Sequence, residues 1–460
     1  MKYKLDFATQ RFAVIGLGYT GLSILDYLNY KKAKIKKVFD TRTNPPHLEE
    51  LKQRITNDTA CHFGLLDGTL FSEIDVIIIS PGISFYDEAL QSAIQNNKIV
   101  LGDIELFSHA ISEWKSQIVG VTGSNGKTTV TALTGFLLQN LGFSTLVAGN
   151  IGTPVLTSYL EIVKNNDIPE FIVLELSSFQ LETLHSMHFS AATVLNISED
   201  HLDRYRDLLE YAYAKANIFN NCQIQVLNMD DTMVMAMARN KMARLSFGLE
   251  DGSDFTLSYA KNGAAFLKVL GHELIACSGL GLIGTHNYLN ILASLALLNG
   301  LKIDVCQDKI KDLLREFKGL EHRMQKILEH NGVTYIEDSK GTNVGAVVAG
   351  VSGLTTPVHL ILGGDGKGQD FTPLRELVRN KCKSVAIIGQ DKELIAKVLS
   401  GLEISIESFT DLEEAVKFCI KNAKSGESVV LSPACASWDM FDNYKHRAEV
   451  FVQTVYSLLK

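Results

Sequence analysis

Short apolar runs that stop at glycine-rich or polar loops, each followed by a stretch of helical period, recur along the whole chain. Residues 11–15, 36–39, 76–79, 117–121, 144–147, 171–174, 192–196, 334–337, 358–362, 384–388 and 428–431 are such runs. Each is too short for a buried helix and suits a buried strand. Stretches such as 208–219, and the one that opens at Lys127 and reaches about Asn140, carry helical patterns instead. This alternation predicts an α/β chain of parallel sheets, with ligands held at the carboxyl edges of the strands. Residues 254–277 break the rhythm. Polar and apolar positions alternate there around Lys261-Asn262-Gly263 and Leu270-Gly271, which predicts small antiparallel hairpins at a sheet edge. The pattern resets once more at 318–323, KGLEHR.

One strand end stands out. In QIVGVTGSNGKTT (117–129) a strand feeds the loop Gly123-Ser124-Asn125-Gly126, and Lys127, Thr128 and Thr129 open a helix. Converging N–H groups and the helix dipole make such a junction an anion site. Lys127 suits the β- and γ-phosphates of a nucleoside triphosphate, and the Thr128 hydroxyl suits Mg²⁺. Val121 stands where the usual phosphate-loop spacing has glycine. The plain alternative is a glycine turn before a core helix.

Other strand ends add chemistry. Gly16-Leu17-Gly18-Tyr19-Thr20-Gly21 follows the first strand, and Asp40, Thr41 and Arg42 follow the second. Alone this suggests NAD, although other nucleotide diphosphates are bound by the same backbone physics. Ser80-Pro81-Gly82 places a second loop at that edge. In the middle of the chain, Asn150 follows a strand, and Glu175 at a buried strand end suits Mg²⁺. His201 sits among acids in ISEDHLDR, with a metal-ligand role and a structural one both open. Lys215, between Ala214 and Ala216, reads as a surface lysine. Asn287 and Asn290 share one face at the start of a long apolar helix. Towards the end, Asp338, Lys340, Thr342 and Asn343 follow one strand, Lys367 another and Ser437 a third. Lys340 and Lys367 are expected on adjacent strand ends, facing a carboxylate-rich ligand.

Composition narrows the class. At 460 residues the chain suggests two or three domains, and 46% hydrophobic content is ample for packed cores. A formal charge of −8 without a long basic run makes nucleic acid an unsuitable partner. Seven scattered cysteines with no C-x-x-C pair fit a reducing compartment and argue against zinc. The beginning of the chain lacks the apolar core of a signal peptide, and no apolar run reaches membrane-spanning length. A cytoplasmic protein without membrane insertion is expected.

TGSNGKTT, GNIGTP, ELSSFQLE, ISEDHLDR, GTHNYLN, GLEHR, DSKGTN, GGDGKGQDF and LSPACASWDMF occur in this order. On these motifs the chain resembles the Mur ligases over essentially its whole length, and within them the branch that adds D-glutamate. The resemblance implies three domains: a UDP-sugar-binding domain at 1–110, a central ATP-binding domain at 111–320 and an amino-acid-binding domain at 321–460. It implies an ATP-dependent ligase of peptidoglycan precursor synthesis, acting as a monomer, that joins D-glutamate to UDP-N-acetylmuramoyl-L-alanine through an acyl phosphate. Another Mur-type or folylpolyglutamate ligase with a different acceptor is the alternative. An NAD-dependent oxidoreductase would leave 117–129 without a role, and a non-catalytic phosphate-loop module would leave Glu175 and His201 without one.

The resemblance also distributes roles. Gly123, Ser124, Asn125, Gly126, Lys127, Thr128 and Thr129 would hold ATP, with Asn287, Arg323, Asp338 and Lys340 around it and His322 near the transferred phosphoryl group. Thr128 and Glu175 would hold a first Mg²⁺, and His201 a second. Lys215 matches a lysine carbamylated in the family, whose anion helps to position that metal. Thr20, Asp40, Thr41, Arg42, Gly82 and Asn150 would contact the nucleotide-sugar. Thr342, Lys367, Ser437 and Tyr444 would grip D-glutamate.

Overall fold

The structure is a computed structural model and describes residues 3–201, 204–249, 252–282, 284–354 and 356–459. Leu202 and Asp203 of the ISEDHLDR motif lie outside the described residues. Three sheets follow one another along the chain.

The first contains β1 (Arg11–Ile15), β2 (Lys34–Asp40), β3 (Ala60–Phe63), β4 (Val76–Ile79) and β5 (Ile99–Gly102), all parallel, in the order β3-β2-β1-β4-β5. The strand order reverses between β1 and β4. The loops at Gly16 and Ser80 therefore flank the crevice where such sheets bind ligands.

The second sheet contains β6 (Gln117–Thr122), β7 (Thr145–Gly149), β8 (Phe171–Glu175), β9 (Phe189–Val194), β10 (Cys222–Asn228), β11 (Ala243–Phe247), β12 (Phe255–Tyr259), β13 (Ala265–Val269) and β14 (His272–Ala276). Its order is β14-β13-β12-β11-β10-β9-β6-β8-β7, and only the β12-β13-β14 meander is antiparallel. That meander is the hairpin region expected at 254–277. The strand expected at 192–196 instead runs Phe189–Val194, because pairing to β6 and β10 sets its ends. The helix expected over 208–219 is α-helical at Leu208–Ala216 and tightens to a single 3₁₀ turn at Asn217–Phe219.

The third sheet contains β15 (Gln325–His330), β16 (Val333–Glu337), β17 (Val358–Gly363), β18 (Cys382–Ile388), β19 (Ser405–Ser408) and β20 (Ser428–Leu431), in the order β15-β16-β20-β17-β18-β19. The expected adjacency of the strands that precede Lys340 and Lys367 does not hold. β20, last in sequence, pairs with both β16 and β17 and lies between them.

One buried apolar cluster runs without a break from Phe12, Tyr27 and Phe107 to Tyr159, Leu181 and Phe189. Helices Tyr19–Tyr30 and Asp103–Ala110 pack there against helix Val155–Asn165, which joins the first sheet to the second. Among the described residues, no helix is long and apolar enough to cross a membrane.

Candidate functional site

β6 lies between β8 and β9, so its carboxyl end opens at the centre of the second sheet. Helix Lys127–Asn140 starts there, after Gly126 in a left-handed conformation (φ 84°). A Cβ at Gly126 would also crowd Asn290 Oδ1, the end of a side chain, so the left-handed backbone is the stronger reason for glycine. The loop is braced from β9. Asn196 accepts from the N–H of Ser124 through its carbonyl (2.9 Å) and from that of Asn125 through Oδ1 (2.8 Å), and Ser124 Oγ accepts from Ser198 N (2.9 Å). Those two N–H groups are thus engaged within the protein. The first-turn N–H groups of Lys127, Thr128 and Thr129, which helix geometry leaves without an intrahelical carbonyl, face the position a phosphate would take. Lys127 Nζ curls back onto the carbonyls of Gly123 and Ser124, at 2.8 Å each. Burial lowers its pKa, and the charges of Glu175 and Asp200 oppose that shift.

Glu175 ends β8 beside this loop. Its Oε1 accepts from Asn150 Nδ2 at 3.2 Å, while Oε2 is buried and has no hydrogen-bond partner among the described residues. An orphaned carboxylate oxygen near Lys127 of a phosphate loop fits a divalent cation. Among the described residues, no group of three or more His, Cys, Asp and Glu side chains is gathered as a metal site. A cation here would therefore take most of its ligands from phosphate oxygens and water, as Mg²⁺ does. His201 has φ 55° and packs its ring edge-on against Phe179, with Nε2 3.8 Å from Asp200 Oδ2.

Lys215 is not a surface lysine. It is 1% exposed, and among the described residues its Nζ has one long hydrogen bond, to Thr122 Oγ1 at 3.4 Å, and a place over the Tyr211 ring at 4.5 Å. Burial first, then the charge of Lys127, push its pKa well below the ordinary lysine value, against the pull of Asp200 and Glu175. Alternating alanines concealed this, because a short helix packed under a loop needs small residues on several faces.

The third sheet closes over the same loop. Arg323 Nη2 donates to Thr128 Oγ1 at 3.0 Å, Asn343 Nδ2 to Asn125 Oδ1 at 3.1 Å, and Lys367 Nζ to Asp200 Oδ1 at 2.7 Å. Asn343 also caps helix Val344–Ser352 through Oδ1, which fixes its side chain for the cross-sheet bond. Lys340 lies over the Tyr444 ring at 3.9 Å, and burial lowers its pKa to about 8. His322 Nδ1 is 2.8 Å from Glu337 Oε2, and its ring meets that of Tyr444 edge-on. Asp338 is held by Ser432 Oγ (2.6 Å) and Met324 N (3.1 Å), and burial raises its pKa to about 7. Thr342 is half-buried and Ser437 buried on neighbouring loops. Asn290 lies beside Gly126, and Asn287 accepts from its Nδ2 at 3.3 Å.

At the first sheet, Asp40 is buried, and its carboxylate holds Leu17 N (2.7 Å) and the Arg42 guanidinium (2.7 and 2.8 Å). Burial opposes ionisation, but these donors outweigh it and keep the carboxylate below its ordinary value. Asp40 thus braces the glycine loop and leaves exposed Thr41 and Arg42 at the mouth, with Thr20 half-buried on the adjoining helix. Gly82 is exposed in the loop after β4. Arg204 ties that loop to the second sheet, with Nη1 to Pro81 O (2.9 Å) and Nη2 to Ile83 O (3.1 Å) and to Glu182 (2.9 Å). The sequence alone assigns no role to Asn196, Asp200, Arg204 or Asn343. Their only signal was polarity within motifs at strand ends.

Family models match three consecutive segments: the Mur ligase MurD-like N-terminal domain at 10–102, the Mur ligase middle domain at 121–298 and the Mur ligase glutamate ligase domain at 322–435. The chain is 44% identical over 460 residues to a UDP-N-acetylmuramoylalanine–D-glutamate ligase of Nitrosomonas eutropha, covering 98% of this chain and 97% of that one. It is 45% identical over 459 residues to the protein of that name from Methylobacillus flagellatus, with 99% of each covered. Among solved structures, MurF ligase from Thermotoga maritima in complex with ADP superposes with TM-score 0.62 at 17% identity, covering 99% of this chain and 100% of that one. UDP-N-acetylmuramate-alanine ligase MurC from the same organism gives 0.59 at 17%, covering 98% and 100%. At such identities these two speak for the fold.

Proposed function

The chain belongs to the Mur ligase family, and we propose that it joins D-glutamate to the L-alanyl carboxylate of UDP-N-acetylmuramoyl-L-alanine at the expense of ATP. The observation that carries this reading is the convergence of the second and third sheets on one phosphate loop, through the pairs Thr128–Arg323, Asn125–Asn343 and Asp200–Lys367.

A free carboxylate is a poor acyl donor. The carboxylate of the nucleotide-sugar therefore attacks the γ-phosphorus of ATP, ADP leaves, and an acyl phosphate forms. The amine of D-glutamate then attacks the acyl carbon, and inorganic phosphate departs as the amide forms. The first step brings two anions together, so positive groups and positioning supply most of the catalysis. Lys127 and the N–H groups of the first helical turn hold the phosphates, and Arg323 and Lys340 add charge from the third sheet. Mg²⁺ held by Thr128 and Glu175 would screen the phosphate oxygens, and a second near His201 would do the same on the acceptor side. Burial pushes Lys215 towards the neutral amine, the form of lysine that adds CO₂. As a carbamate it would place an anion beside the phosphate loop.

Thr20, Thr41, Arg42 and Gly82 line the mouth for the uridine end, with Asp40 bracing it, and Asn150 lies on the path to the reacting carboxylate. Thr342, Lys367, Ser437 and Tyr444 receive D-glutamate. Closure of the third domain (321–460) on the central one (111–320) excludes the water that would hydrolyse the acyl phosphate.

Phosphate release from ATP with UDP-N-acetylmuramoyl-L-alanine, compared among D-glutamate, L-glutamate, L-lysine and no amine, tests the reading. Release that depends on D-glutamate, with the matching product mass, is expected. Release with another amine would move the acceptor, and absence of release under every condition would reject the ligase. Lys127→Ala is expected to lower turnover by at least about 100-fold, as loss of a charge-stabilising donor does.

A further inference from the structure

Arg447 lies on helix Tyr444–Leu459 and is fully buried. A buried guanidinium ordinarily faces a carboxylate, but here the hydrogen-bond partners among the described residues are all neutral. Nε donates to Ser339 Oγ (2.9 Å), Nη2 to Ser339 O (2.9 Å) and Nη1 to the carbonyls of Cys435 (3.1 Å) and Ala436 (3.4 Å). Ser339 Oγ in turn donates to Tyr444 O at 2.8 Å. One side chain thus ties the loop after β16, the loop after β20 and the start of the last helix. Each segment carries one group of the acceptor site: Thr342, Ser437 and Tyr444.

We propose that Arg447 is a positioning residue for the amino-acid acceptor, fixing these three segments as one frame and setting a buried positive charge beneath them that favours a dicarboxylate. The charges of Asp439, Glu337 and Asp338 lie near enough to stabilise the cation without a direct hydrogen bond to it. The inference rests on the acceptor reading given above. Burial lowers the pKa of Arg447 to about 10, which still leaves it a cation at neutral pH. Planar, forked donors reach carbonyls on two loops at once. A lysine in the same place would keep the charge and lose most of that geometry.

The test is steady-state kinetics of the full chain carrying Arg447→Gln or Arg447→Lys, with all three substrates varied in turn. Arg447→Gln is expected to raise the KM for D-glutamate at least tenfold, with the KM values for ATP and the nucleotide-sugar within twofold. Arg447→Lys is expected to fall between that variant and the unaltered chain, since it restores charge without the tether. A merely structural role would raise all three KM values together or lower the active fraction alone, and either result overturns the proposal. Equal KM values for D-glutamate in the two variants would overturn the role of the charge. Should Arg447→Gln fail to fold, an unchanged KM for D-glutamate in Arg447→Lys overturns the proposal by itself. Failure of the unaltered chain to release phosphate with D-glutamate would instead reject the acceptor reading, and this inference with it.

Discussion

Lys367 Nζ donates to Asp200 Oδ1 at 2.7 Å across the boundary between the second and third sheets, with side chains 17% and 10% exposed. The pair joins a residue proposed to grip the acceptor to the segment that carries His201, so closure and acceptor binding share a contact. Burial opposes ionisation of Asp200, but the Lys367 charge and hydrogen bond, together with the charges of His201 and Lys127, outweigh it and hold the carboxyl below its ordinary value. A carboxyl depressed in this way stabilises the closed form above its ordinary pKa and loses that contribution as pH falls through the lowered value. Asp200→Asn and Lys367→Met are each expected to raise the KM for D-glutamate. Their double-mutant cycle should show a coupling of about 1–3 kcal/mol. Additive effects would mean that the contact does not matter in solution.

The chemistry proposed for Lys215 comes at the expense of stability. Its folded pKa lies well below the ordinary lysine value, so the unfolded chain binds the extra proton and stability rises with pH across that interval. Lys215→Met removes a buried amine and keeps the volume. It is expected to match or exceed the unaltered chain in thermal stability near neutral pH, while losing about 100-fold or more in turnover. Rescue of Lys215→Ala by added short carboxylates would support the carbamate, and unchanged activity in the plain variant would refute it.

Gly21 sits in the first turn of helix Tyr19–Tyr30, where a Cβ would lie 1.8 Å from the Gly16 carbonyl oxygen. Gly21→Ala must therefore move backbone rather than a flexible side chain. The expected cost is about 1–3 kcal/mol in urea unfolding, together with weakened uridine-nucleotide binding by calorimetry and an unchanged KM for ATP. Unimpaired nucleotide binding would separate the Gly16–Gly21 loop from the sugar site.

Asp338 gives a pH dependence of opposite sign to that of Asp200. Burial raises its carboxyl to about 7, so between the ordinary aspartate range and that value the folded state holds a proton that the unfolded state lacks. Its contribution is full in acid and is lost as pH rises towards 7, by at most about 1.4 kcal/mol per pH unit. Asp338→Asn should flatten this slope when unfolding is compared at about pH 5 and about pH 7. An identical slope in both proteins would show that the group does not titrate there.

The strand ends were legible because their signals are local. A buried run that stops at glycine and polar residues fixes where a strand ends and which loop opens at the sheet edge. The phosphate loop, Glu175, the Gly16–Gly21 turn and the three loops of the third sheet therefore lie at the edges expected of them. Their order in space was less legible. β20 is the last strand in sequence, and nothing local says that it pairs between β16 and β17 and so separates the loops of Lys340 and Lys367.

The sequence by itself determined the α/β class, the antiparallel hairpins at 254–277 and the phosphate loop, because periodicity and glycine positions act over a few residues. Tertiary structure alone decided which polar groups meet. Lys215 is buried because its helix packs under the loop after β6. Lys367 finds Asp200, and Arg323 finds Thr128, because one sheet docks on another. Arg447 is enclosed because two loops and a helix close around it. A charged residue reads the same in sequence whether it faces water or a partner far along the chain, and only the packing of distant segments removes the water and settles which it is.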